Sequence, residues 1–150
     1  MRDKLAYDNF LNGYNCTQAV VLAFEDVIDI DKETLLKTVS PFGGGFSRLR
    51  EVCGTVSGMF YVLGAVEGYA TPGDNESKKR LYATAQTLAA KFKEETGSIV
   101  CRELLGLSGP SNPEPEKRTS EYYKKRPCPE LCALAAKILE EYLIEKGIIQ

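Results

Sequence analysis

The sequence predicts an all-α fold: one helical bundle of about six helices with a glycine-rich loop and a proline-rich loop. Three observations lead there. Apolar residues recur at three- and four-residue spacing in segment after segment. No stretch shows the strict alternation of a half-buried strand, and no internal repeat occurs. A chain of 150 residues, 43% hydrophobic and 27% charged, suits a single globular domain, read here as residues 1–150.

The first element spans residues 2–11, with Leu5, Tyr7, Phe10 and Leu11 as its apolar face and Gly13 as its stop. In NCTQAVVLAFEDVI, Val20, Ala23, Phe24 and Val27 keep helical spacing. Asn15 is placed to cap this helix, which puts Cys16 in the first turn and facing inward. Asp31 caps a third helix, DKETLLKTVS, ended by Ser40-Pro41. The fourth, beginning near Val52, is central. It carries Gly54 and Gly58, then Gly64 and Gly68, each pair four residues apart. Glycine costs about 1 kcal/mol against alanine inside a helix, so close packing against a neighbour is expected at both pairs.

A fifth helix, 75–96, presents Leu81, Ala85, Leu88, Ala89 and Phe92 on one stripe and stops at Gly97. Ser98 is read as the cap of a short helix containing Cys101. From Leu107 to Pro129 the chain is proline-rich and reads as a surface loop, with one helical turn near Lys117–Tyr123. The last helix starts at Pro129, a residue suited to a first helical position. It buries Leu131, Leu134, Ala135, Ile138, Leu139 and Tyr142.

Composition excludes several chemistries. A net charge of −2 offers no electrostatic case for nucleic acid. The N-terminal MRDKLAYDNF lacks a signal-peptide apolar run, and Val52–Val66 is too short to span a membrane, so a cytoplasmic, non-membrane protein is expected. Without histidine or tryptophan there is no His-based triad, no His-ligated zinc and no haem motif. The triple glycine Gly43–Gly45 is followed by no GKS or GKT, which rules out a nucleotide P-loop. It reads instead as a turn with positive φ that shields Cys53. Arg48 and Arg50 read as surface charges or as thiolate-tuning groups, and the Lys124–Arg126 run as a loop edge. Tyr14, Tyr122 and Tyr123 are candidates to cover the site.

Five cysteines remain, and four of them, Cys16, Cys53, Cys101 and Cys128, fall at or near helix starts. There, unpaired backbone N–H groups and the helix dipole favour thiolate. Separations of 37, 48 and 27 residues match no compact metal-ligand motif. If the starts gather, two chemistries fit: dithiol–disulfide exchange with Cys53 attacking and Cys128 as a partner, or an iron–sulfur centre on all four. The iron–sulfur centre is preferred. A third reading is a helical module with core cysteines or a structural zinc. Cys132, inside the last helix, reads as a core residue, with a resolving-thiol role open through its i, i+4 relation to Cys128.

The segments GYNCTQAV (13–20), GGGF (43–46), VCGTVSG (52–58), CRELLG (101–106) and RPCPEL (126–131) resemble, in order, the redox-active family named for a C–GCAxxG–C–C pattern. One departure stands out: Thr55 occupies the alanine position of the central motif. The resemblance implies an all-helical fold and identifies Cys16, Cys53, Cys101 and Cys128 as the family's cysteines. It also implies a partner among membrane transporters, near whose genes the family is often encoded, or an electron-transfer partner. Similarity to the non-haem part of split-Soret-type cytochromes implies an iron–sulfur centre as the transferable feature.

Overall fold

A computed structural model describes all residues, 1–150. Its eight helices are α1 (Arg2–Leu11), α2 (Cys16–Leu22), α3 (Lys32–Val39), α4 (Gly54–Glu67), α5 (Asn75–Thr96), α6 (Cys101–Leu105), α7 (Ser120–Lys125) and α8 (Cys128–Glu145). The all-α class is as read from the sequence. The short helix read around Cys101 and the helical turn read near Lys117–Tyr123 both form, and with them the count exceeds six. No helix is long and apolar enough to cross a membrane.

Helix α8 packs along α1, and α2 along α4, with both α2 and α4 also touching α8. Between them lies one core of 25 buried residues, including Phe24, Leu35, Met59, Leu63, Leu88, Phe92, Leu139 and Leu143. Asn15 and Gln18 form a reciprocal capping box at the start of α2, and Asp31 caps α3. Gly54 and Gly58 do meet a neighbour: a Cβ on Gly58 would stand 3.0 Å from Val20 Cβ, and one on Gly54 would strike Cys16 and Thr17. The second pair does not. Nothing lies within 4 Å of a Cβ on Gly64, and Gly68 terminates the helix.

Three expectations need correction. Leu5 and Leu11 are exposed, and the buried residues of α1 are Ala6 and Phe10. The second helix stops at Leu22 rather than continuing to Ile28, and residues 23–27 tighten into i→i−3 turns. The cause is tertiary. Arg2 donates to the Ala23 carbonyl at 2.7 Å, pairs with Asp26 at 2.7 Å, and stacks 5.0 Å from the centre of the Phe24 ring. Ser98 does not cap α6. Val100 holds the cap position, and Ser98 Oγ accepts from the Val100 N–H.

Candidate functional site

All four helix-start cysteines are placed as the sequence reading had them: Cys16, Cys101 and Cys128 open their helices, and Cys53 is the residue before α4. The fold brings those starts to one end of the bundle. Cys16, Cys53, Cys101 and Cys128 line a single cavity of about 310 Å³. Cys132 does not line it. That residue is fully buried, and its thiol points at the Cys16 carbonyl at 3.8 Å. All five thiols are free, and no three cysteine or carboxylate side chains converge closely enough to hold a single metal ion.

Two of the cysteines are fastened side by side by a device the sequence did not announce. Residues 50–53 and 99–102 run antiparallel through one isolated bridge, Val52 with Val100. The Cys53 N–H donates to the Ile99 carbonyl at 2.8 Å, and the Cys101 N–H donates to the Glu51 carbonyl at 2.6 Å. Each cysteine thus spends its own N–H on holding the other's segment.

The glycine run forms a left-handed turn. Gly44, Gly45, Phe46, Ser47 and Arg48 all have positive φ, as does Arg50. Four of those six residues carry a Cβ, which strains the backbone in this region. It meets Cys16 and Cys101, and Gly43 and Gly44 line the same cavity as Cys53. The Gly44 N–H favours negative charge on the Cys16 sulfur, and a Cβ on Gly45 would stand 2.6 Å from Cys101 Cβ.

Electrostatics runs against free thiolates at three of these positions. Burial pushes the Cys16 thiol up, despite N–H groups of Gly44, Thr17 and Cys16 itself. Burial, then repulsion from Cys16, pushes Cys53 up to about 12, against a hydrogen bond from Thr55. Cys128 rises to about 12 by burial and by repulsion from Cys16, Cys53 and Cys101, which Arg126 offsets only in part. The expected thiolate stabilisation is therefore outweighed by desolvation, which penalises the charged form more than a few N–H dipoles help it.

The structure separates the basic residues that sequence treated alike. Arg50 is buried, 5% exposed, and donates Nε to Ser111 Oγ at 3.0 Å and Nη1 to Cys101 Sγ at 3.7 Å. Arg48 is half-buried and donates Nε to the Asn112 carbonyl at 2.6 Å. Arg126 lines the cavity and pairs with Glu116 at 2.8 Å, so the Lys124–Arg126 run is more than a loop edge. Tyr122 lines the cavity too. Tyr123 packs edge-on against Phe10, outside it.

Arg118 has no counterpart in the sequence reading. It lines the cavity, stacks 3.9 Å from the centre of the Phe10 ring, and donates to the Phe10 and Tyr14 carbonyls, the latter at 2.7 Å. Those partners lie more than a hundred residues away in sequence, so no local pattern marks it. Through these arginines the strap 107–127 is tied across the cavity, although none of its residues is buried.

Thr55, the departure from the central motif, is fully buried with its Oγ1 3.1 Å from Cys53 Sγ. The substituted position is therefore the one that adds a hydroxyl beside a cavity sulfur.

The family described as "Putative redox-active protein (C_GCAxxG_C_C)" matches residues 14–142, and the chain belongs to that family. No curated protein and no solved structure matches the chain.

Proposed function

We propose that this member of the C_GCAxxG_C_C family is an electron-transfer protein whose centre is an iron–sulfur cluster held by Cys16, Cys53, Cys101 and Cys128. One observation carries the reading: four cysteines from four separate helix starts line the same cavity. The donor set fits, because iron–sulfur clusters take four cysteine thiolates. A cluster brings its own sulfides and spans more space than one ion, so its cysteines stand apart. A structural zinc also takes four thiolates, and metal analysis separates the two.

Bound there, the cluster would supply one-electron chemistry. The chain's own residues do the rest. Arg50 Nη1 and the Thr55 hydroxyl supply hydrogen bonds to the sulfurs of Cys101 and Cys53, the interactions that tune such centres, and the Gly44 N–H favours negative charge at Cys16. The strap, with Tyr122, Arg118 and Arg126, limits water at the site.

Dithiol–disulfide exchange is less well supported. An attacking thiol must be reachable and ionised, whereas Cys53 is 5% exposed with its neutral form favoured by burial. The test is chemical analysis of protein purified without oxygen. Bound iron with an equivalent amount of acid-labile sulfide, and a visible absorption that bleaches on reduction, are expected. Colourless, iron-free protein that turns over a disulfide substrate would replace this reading with thiol exchange.

A further inference from the structure

The cavity carries an excess of arginine over carboxylate, and of Arg48 and Arg50 only Arg50 is hydrogen-bonded to a cysteine sulfur, that of Cys101. Four guanidinium groups line it, those of Arg48, Arg50, Arg118 and Arg126, against the single carboxylate of Glu116, which Arg126 already engages. None of the chain's ion pairs includes Arg48, Arg50 or Arg118.

Arg118 spends itself on two carbonyls. Arg48 and Arg50 do not. Their Nε groups are anchored on consecutive strap residues, Asn112 and Ser111, and both side chains line the cavity. Beyond those anchors, Arg50 gives one N–H to Cys101 and leaves Nη2 without a protein acceptor, and Arg48 leaves both Nη groups free. No buried side-chain polar atom is orphaned, so the free Nη2 of Arg50 is not sealed in packed protein, and Arg50 is one of the residues that line the cavity.

A guanidinium that is 5% exposed and lacks a carboxylate is costly to bury, and a second arginine lining the same cavity leaves its positive charge further unbalanced. Such an arrangement persists where an anion completes it. The planar fork of guanidinium N–H groups suits an oxyanion, accepted two oxygens at a time. The cavity of about 310 Å³ is the one the cysteines line, so an oxyanion at the arginines shares it with the proposed centre and must itself be small.

We propose that Arg48 and Arg50 form a binding site for a small molecule bearing an oxyanion group, seated under the strap and beside the cysteines. The site deepens the redox reading by naming the class of molecule that would meet the centre. Its existence depends only on the arginines and the cavity.

The test is calorimetric titration of the full chain, iron-loaded and iron-free, at low ionic strength. The probes are inorganic phosphate and malonate, with chloride at matched ionic strength as control. Saturable binding of either probe is expected, and the preferred one tells whether the natural group is a mineral-type oxyanion or a carboxylate. Arg50→Lys, which keeps the charge but loses the fork, and Arg48→Gln should each weaken it at least tenfold. Arg48→Gln alters a half-buried side chain and decides the matter if Arg50→Lys does not fold.

Absence of saturation, equal heat with chloride, or unchanged affinity in Arg48→Gln would overturn the proposal. Binding by protein that never takes up iron would leave the anion site standing and sink the cluster. Iron uptake without anion binding would do the reverse.

Discussion

Thr55 shows how one side chain can modulate a site without changing its architecture. It is buried against Cys53, and its hydroxyl is the polar atom nearest that sulfur among the contacts described above. Hydrogen bonds to cluster sulfurs favour the more negative, reduced state. Thr55→Val removes the hydroxyl while keeping the shape, so the reduction potential of the anaerobic protein should move negative. An unchanged potential in redox titration would show that the hydroxyl does not act on the centre. At this scale sequence reading reached the cysteines, because residue type and a helix-start position are local properties. It could not reach Arg118 or separate Arg48 from Arg50, because their roles are set by partners distant in the chain: Phe10, Tyr14, Ser111 and Asn112.

Among the elements, the left-handed turn at Gly43–Phe46 and the exit of α2 make separable predictions. Both Gly44 and Gly45 have positive φ, which costs a side-chain-bearing residue about 1–2 kcal/mol. A Cβ on Gly44 meets only the flexible Arg48 side chain at 3.1 Å. On Gly45 it would collide with Cys101 Cβ and with the backbone of Arg50 and Glu51, each within 2.9 Å. Gly44→Ala should therefore cost about 1–2 kcal/mol, and Gly45→Ala about 3 kcal/mol or more, in denaturant unfolding. Equal costs would contradict the packing described for Cys101.

At the end of α2, the Arg2 hydrogen bond holds the Asp26 carboxyl below its ordinary 3.8. A carboxyl lowered by folding adds stability above its unfolded pKa, and that stability is lost as pH falls through the folded value. Asp26 is two-thirds exposed, so the contribution stays under about 1 kcal/mol. Asp26→Asn should lower stability near neutrality by that amount, and the gap should close as pH falls from the ordinary carboxylate value through the lowered folded one. A gap that persists in acid would mean that the pair does not hold this corner.

The strap behaves as an element of another kind, held by arginines instead of by apolar burial. Arg118→Ala should speed proteolytic cleavage within 107–127 far more than it lowers global stability. Helices α1, α3, α5 and α8 were legible to within a few residues, since caps and apolar periodicity determine them locally. The early end of α2 was not, because Arg2 imposes it from another helix.

For the whole molecule, the decisive step is the gathering of distant helix starts. Core packing of α8 on α1 and α2 on α4 brings three of those starts together, and the antiparallel pairing of 50–53 with 99–102 brings Cys101 to Cys53. Periodicity identifies which faces are buried but not which helix ends coincide, so the cavity could be stated from sequence only as a condition. The core also explains why Cys132 stands apart: it lies among buried apolar residues of α8, one turn below Cys128 and behind Cys16.

The claim that four cysteines act as one centre and the fifth does not is tested most directly by a single comparison. Iron content is measured in oxygen-free preparations of the five single Cys→Ser variants. The account predicts loss of most or all iron in the variants of Cys16, Cys53, Cys101 and Cys128, and iron equal to the parent protein in Cys132→Ser wherever that variant folds. Full iron in any of the first four, or none in a folded Cys132→Ser, would contradict it.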